Sequence, residues 1–267
     1  MKRIVPGLFI AGFWLLLLLK GSILLFSCVV LIVVTIGCDE YVRMASGGGE
    51  NCVERWFLAF VLAVPVAGIC IFPQIAILPF LSLISFFILT GYFLFKYKSL
   101  EDGYLLFCRL VFGLVYIGLL GAHLVLLRYL PEGGIWLIVV SAITACSDSG
   151  AYFVGRAIGK HKLCPSISPN KTIEGAFGGI VAGLSGALFF AFLLLPVVPW
   201  LFLVFSAILI GGVGIAGDLT ESIVKRGTGT KDSGKCLAGH GGILDRVDSL
   251  LFAVPVLYYL LVFSGVR

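Results

Sequence analysis

Two short stretches hold the groups in this chain that are able to do chemistry. The later one opens with Gly217-Asp218-Leu219-Thr220-Glu221-Ser222 and continues through Val224-Lys225-Arg226 to Lys231-Asp232-Ser233-Gly234. It closes with His240-Gly241-Gly242-Ile243-Leu244-Asp245-Arg246-Val247-Asp248. On helices, Asp218 and Glu221 stand at i and i+3, as do Asp245 and Asp248, so each pair lies on one face. Two helix ends would then present four carboxylates to one another. Hard oxygen donors of this kind suit Mg²⁺, which takes one or two carboxylates, keeps waters and is completed by substrate phosphates. Lys225, Arg226, Lys231, Lys235, His240 and Arg246 are interleaved with glycines in the same stretch. Glycines let backbone N–H groups curl round a phosphate, and the cations neutralise it. Together these residue types indicate phosphoryl chemistry on a nucleotide. A loop that merely anchors membrane topology would need the bases, but not four paired acids or a His-Gly-Gly.

The earlier stretch places Asp148 inside an otherwise apolar run, followed by Tyr152, Arg156, Lys160, His161 and Lys162. Ser168-Pro169-Asn170-Lys171-Thr172-Ile173-Glu174-Gly175 comes next and reads as a helix entry, since Ser, Pro and an early Glu are N-terminal signals. Capping explains Ser168, Pro169 and Glu174 and leaves Asp148 as a functional candidate. Residues 148–174 and 218–248 make up 58 of 267 positions, yet hold 7 of 14 acids and 9 of 19 bases. In an apolar chain, such clustering of costly ionisable groups marks a substrate or ion site.

The elements that must carry these residues are set by the rest of the composition. The chain is 60% hydrophobic and 12% charged, with a mean hydropathy of +1.12. That excludes a soluble enzyme, whose charged fraction is about 25%. The net charge of +5 is too modest, in this context, to suggest a nucleic-acid partner. The eight cysteines are scattered singly, without metal-ligand spacing, and read as small hydrophobes.

A spanning helix needs about 20 apolar residues. Spans are expected at about 57–73, 75–95, 105–127, 134–157, 175–196, 200–217 and 249–265, with turns at Pro73-Gln74 and Pro196–Pro199. The run from Ile4 to Ile36, interrupted at Lys20-Gly21, reads as two short uncleaved helices rather than one overlong helix or a signal peptide, because no cleavage site precedes a polar region. The expectation is therefore an all-α, polytopic integral membrane protein of about nine transmembrane helices. It would form a single domain, with apolar helices over 1–130 and a catalytic half over 131–267.

With the N-terminus cytoplasmic and nine crossings, sixteen Lys and Arg fall on one side and only Lys20, Arg128 and Arg267 on the other. This positive-inside bias puts both polar stretches on the cytoplasmic side. Gly175, Gly179, Gly183, Ala187 and Ala191 recur every fourth residue, a small-residue stripe that serves either as a seam within the bundle or as a homodimer contact.

The later stretch resembles the CDP-diglyceride synthetase, or phosphatidate cytidylyltransferase, family. Its signature is met by Ser222, Val224, Lys225, Arg226, Lys231, Asp232, Gly234, His240, Gly241, Gly242, Asp245, Arg246 and Asp248. Upstream, Asp148, Ala151 and Tyr152 and the run from Ser168 to Gly175 match two further family elements. Ala238 and Thr220 stand where the family usually has Pro and an aromatic, and neither change removes a charge. The similarity is seen over the C-terminal half, while the first 130 residues share only their apolar character.

The resemblance implies cytidylyl transfer from CTP to phosphatidic acid, giving CDP-diacylglycerol and pyrophosphate for phospholipid biosynthesis. It implies Mg²⁺ on Asp218 and Asp245, with Asp248 and Glu221 assisting, and room for a second metal ion. Asp218, Asp245, Asp248, Lys225 and Arg226 are the implied catalytic residues. Asp148, Lys171, Ser222, Lys231, Asp232, His240 and Arg246 are the implied substrate contacts. The bilayer, in a bacterial plasma membrane, would deliver the lipid. The rival readings are a CTP-dependent lipid kinase moving the γ-phosphoryl group, and a transporter whose Asp148 lines an ion path.

Overall fold

The computed structural model describes every residue except 1–3, 50, 97, 99–101, 196–197, 235–240 and 267. Its described helices are α1 (Ile4–Lys20), α2 (Ile23–Ser46), α3 (Cys52–Ile71), α4 (Leu78–Lys96), α5 (Gly103–Gly113), α6 (Leu120–Tyr129), α7 (Gly133–Ile158), α8 (Ile173–Leu194), α9 (Trp200–Gly227) and α10 (Leu244–Ser264). A π-helical segment, Leu114–Leu119, joins α5 and α6 into one rod, which leaves nine continuous helices among the described residues. The protein is all-α and polytopic. Eight of the helices are long and apolar enough to cross a bilayer. The exception is α1: its 17 residues give about 25 Å of helix, short of a hydrocarbon core of about 30 Å. Eight helices that meet this length agree with the expectation of about nine spans.

The chain divides into two compact units. The first comprises Met1–Tyr129 and Thr228–Arg246. Here the break at Lys20-Gly21 is built in by Arg128, whose guanidinium donates to the carbonyls of Leu18 (3.0 Å) and Gly21 (2.9 Å) and lies over the Phe26 ring. Ser22 caps α2 by accepting from Leu25 N, and Gly47 ends it in the left-handed region at φ 75°. The expected turn at Pro73-Gln74 separates α3 from a single 3₁₀ turn at Ile75–Ile77 that leads into α4. At the end of α2, Asp39 accepts from Arg55 Nε at 2.6 Å, and Glu54 pairs with Lys96.

The second unit comprises Leu130–Gly227 and Val247–Arg267. Its closest packing is α7 against α8. A β-carbon on Gly175, Gly179 or Gly183 would sit 2.8–3.0 Å from the carbonyl oxygens of Ala151, Ser147 and Ile143. The small-residue stripe is consumed by this internal seam, the first of the two readings given above. Phe177, Phe189, Phe192 and Phe205 project outward from α8 and α9, as lipid-facing side chains do.

Between α7 and α8 the chain makes an antiparallel hairpin, β1 (Lys162–Cys164) with β2 (Ser168–Thr172), which the sequence reading takes as a helix entry. Helix α8 starts later than Ser168, at Ile173, and its cap is Thr172, whose Oγ1 accepts from Gly175 N at 3.1 Å. Glu174 turns back to accept from Lys160 N and His161 N and pairs with His161 Nδ1 at 2.6 Å, fixing the start of the hairpin. The seven described cysteines are free thiols.

Candidate active site

In the second unit, four residues of α9, Asp218, Glu221, Ser222 and Lys225, recur at three- and four-residue steps and so share one face. The helix runs to Gly227, ten residues beyond the expected span, which keeps these groups in register. Gly217 makes room for α10: a β-carbon there would lie 2.8 Å from the Asp248 carbonyl oxygen and 3.2 Å from Ser249 Cα. That close approach sets the side chains of Asp218 and Asp248 against each other. Asp248, 9% exposed, interacts electrostatically with Asp218, with Asp148 of α7 and with Lys225, and its Oδ1 accepts from Ser249 N at 2.7 Å. Asp248 of α10 thus faces a carboxylate from each of two other helices.

Counter-charge comes from two lysines. Lys171, the fourth residue of β2, forms an ion pair with Asp218 Oδ2. Lys225 Nζ donates to Glu221 Oε2 at 2.6 Å, one turn away on α9, where Glu221 is 1% exposed. Arg226 Nε donates to the Ile167 carbonyl at 3.2 Å and so ties the end of α9 to the hairpin turn. Ser222 is half-buried on α9 beside this group.

In the first unit lies the rest of the expected site. Lys231, Asp232 and Arg246 are exposed, and Ser233 is 3% exposed. Asp245 accepts from Ser233 N at 3.2 Å and from Gly242 N at 2.8 Å, which closes the segment's two ends on each other. His240 lies outside the described residues. One residue in this cluster escapes the sequence reading: Glu40 of α2, 5% exposed. Its Oε2 accepts from Leu244 N at 3.0 Å and from Ser233 Oγ at 3.3 Å.

The donor set on α7, α9 and α10 consists of carboxylate oxygens, the type that Mg²⁺ prefers. Among the described residues no three His, Cys, Asp or Glu form a preassembled metal cage. Ammonium groups stand on Asp218 and Glu221 instead, and Mg²⁺, completed by water and phosphate, does not require an all-protein cage. The donor chemistry therefore fits.

Fold and site define a class: a polytopic helical membrane protein with a carboxylate–lysine cluster in one unit and a glycine-rich polar segment in the other. Residues 1–264 match the Cytidylyltransferase family, and the chain belongs to it. The match reaches through the first 130 residues, so the family likeness is not confined to the C-terminal half, as the motifs alone suggested. The chain is 35% identical to the phosphatidate cytidylyltransferase of Pseudomonas aeruginosa over 272 residues, covering 99% of this chain and 97% of that one. It is 46% identical to the Bacillus subtilis phosphatidate cytidylyltransferase over 148 residues, 55% of each chain, so it spans about half the length of that relative. With the phosphatidate cytidylyltransferase of Staphylococcus saprophyticus it shares 40% identity over 177 residues, 66% of this chain and 68% of the other.

Proposed function

We propose that this chain is a phosphatidate cytidylyltransferase that joins CTP and phosphatidic acid to give CDP-diacylglycerol and pyrophosphate. The observation that carries the reading is the convergence of Asp148, Asp218 and Asp248 with Lys225 and Lys171, in a chain whose family transfers cytidylyl groups. The lipid phosphate is already ionised and needs no strong general base. One of its oxygens attacks the α-phosphorus of CTP, the bond from that phosphorus to the β-phosphate oxygen breaks, and pyrophosphate leaves with the electron pair. The protein's work is positioning and charge neutralisation.

Asp218, Asp245, Asp248 and Glu221 are the donors we assign to Mg²⁺ and to any second metal ion. When bound, the metal neutralises phosphate oxygens as a Lewis acid. Lys225, Arg226, Lys231, His240 and Arg246 hold the triphosphate or the lipid phosphate, and Lys171, Ser222, Asp232 and Asp148 complete the substrate contacts. Integral membrane location gives access to the lipid substrate. A bacterial plasma membrane with the polar segments on the cytoplasmic side fits both the bacterial relatives and the sixteen-to-three distribution of bases.

The test uses purified protein in detergent with phosphatidic acid, CTP labelled at the α-phosphate and Mg²⁺, with Asp245→Asn beside it. Labelled lipid and pyrophosphate from the wild type, reduced at least about a hundredfold in the variant, support the reading. Label left in water-soluble CDP while the lipid gains phosphate moves the assignment to a lipid kinase. Absence of turnover together with flux in sealed vesicles moves it to transport.

A further inference from the structure

Glu40 is out of place by composition: a carboxylate at the eighteenth position of a spanning helix, 5% exposed, in the half of the chain that otherwise reads as apolar filler. A buried charge persists when it is hydrogen-bonded, and Glu40 spends its bonds on one object. Its Oε2 accepts from the backbone N–H of Leu244, the first residue of α10, and from the hydroxyl of Ser233. Ser233 Oγ accepts in turn from Asp245 N at 3.3 Å, and Asp245 accepts from the N–H groups of Ser233 and Gly242. The first two N–H groups of α10, which have no partner inside their own helix, are therefore satisfied by Glu40 and Ser233. A carboxylate at that end also opposes the helix dipole favourably.

The same arrangement explains two glycines of the signature. A β-carbon on Gly234 would overlap the Glu40 carboxylate, and one on Gly242 would overlap Ser233 Oγ and lie 2.5 Å from Glu40 Oε2. These positions are small because Glu40 and Ser233 fill the space beside them. The residues on either side of the Lys235–His240 stretch are held by one side chain that reaches in from α2.

We infer that Glu40 is a positioning residue: it clamps Ser233 to the amino-terminus of α10, sets Asp245, and thereby positions Lys231–Gly234 and Gly241–Asp245 for the nucleotide. The inference rests on the cytidylyltransferase reading for what the segment binds. The clamp itself is read from hydrogen bonds.

Two measurements on full-length protein in detergent test it, with Glu40→Ala, Ser233→Ala and the double variant. In amide hydrogen exchange, peptides covering 241–246 are expected to exchange at least about tenfold faster in each single variant, as for loss of a hydrogen-bonded cap. In steady-state kinetics, KM for CTP is expected to rise about tenfold while KM for phosphatidic acid stays within about twofold, and the double variant is expected to be no worse than Glu40→Ala alone. Unchanged exchange overturns the clamp. Faster exchange with both KM values raised alike makes Glu40 a structural group only and overturns the positioning role. If Glu40→Ala does not fold, Ser233→Ala carries the same two readouts. If the wild type forms no CDP-lipid, the functional reading falls, while the exchange result still decides the clamp.

Discussion

Lys171 of the hairpin and Asp218 of α9 form an ion pair, so the helix face that carries the proposed metal donors meets a lysine delivered by a short two-stranded insertion. Both side chains keep access to solvent, at 26% and 31% exposure, which makes the pair exchangeable rather than structural. A metal ion held at Asp218, as proposed, would compete with the ammonium for its carboxylate and leave the lysine available to a phosphate.

Lys171→Met separates these roles. It is expected to lower the Mg²⁺ concentration that gives half-maximal activity, because the competitor for Asp218 is gone. It is also expected to lower kcat/KM for CTP about 10- to 100-fold, the worth of one charge-assisted contact to phosphate. A magnesium titration at saturating lipid checks both. A variant with unchanged magnesium dependence and kcat/KM within about threefold of wild type would remove Lys171 from the site.

Asp248 faces two other carboxylates while nearly buried, an arrangement that costs stability and is enriched at functional sites. Asp248→Asn removes one of the three like charges. We expect thermal unfolding in detergent to be unchanged or raised by about 2–4 °C, since relief of repulsion is worth on the order of 1 kcal/mol. CDP-lipid formation is expected to fall at least about a hundredfold. A large drop in Tm would instead make Asp248 a structural residue of α10.

The spans were legible because a bilayer demands about 20 apolar residues per helix, and that demand is written in composition. Helix ends were not. Helix α9 continues through Asp218, Glu221 and Lys225, and α10 begins five residues before its apolar run, because charged residues inside the protein remain helical while hydropathy counts them as loop. The hairpin at Lys162–Thr172 was missed because two strands of three and five residues carry no period; their pairing, and the return contact from Glu174, are non-local. The site was legible where motif residues crowd in sequence, as at Asp218–Arg226. Glu40 was not, since its partners stand about 200 positions away. The available signal was the acid itself: an ionisable residue ending an apolar run is a functional candidate by its cost alone.

Glu221 and Lys225 supply a test of how charge is accommodated inside the second unit. At 1% and 16% side-chain exposure this pair is far drier than Lys171–Asp218. Glu221→Leu removes the hydrogen-bonded carboxylate from a Lys225 ammonium that still faces Asp248 in a poorly hydrated site, and a loss of about 1–3 kcal/mol is expected. Adding Lys225→Met removes the under-compensated ammonium and should recover part of that stability, less what Asp248 loses with its counter-charge, without restoring activity. Denaturant unfolding of the single and double variants checks the sign. A double variant no more stable than Glu221→Leu would show that packing and the Lys225–Asp248 interaction, not the lost Glu221 pairing, dominate.

The platform beneath the site depends on how closely α7 and α8 approach, and Gly179 tests that directly. A β-carbon there would lie 2.8 Å from the Ser147 carbonyl oxygen and 3.0 Å from Ser147 Oγ, one residue from Asp148. Any larger side chain must push the two helices apart, because backbone on the far side cannot yield. Such overpacking costs about 1–3 kcal/mol or more. Gly179→Leu is therefore expected to lower Tm and, by shifting Ser147 and Asp148 together, to reduce turnover even at temperatures where the protein remains folded. Gly212→Leu is the matched control, since it adds the same side chain at an exposed position on α9 with nothing within 4 Å of a β-carbon. It is expected to leave Tm within about 2 °C of wild type. Equal losses in the two variants would mean that leucine substitution in any helix is harmful, and that the α7–α8 approach has no special part in holding Asp148.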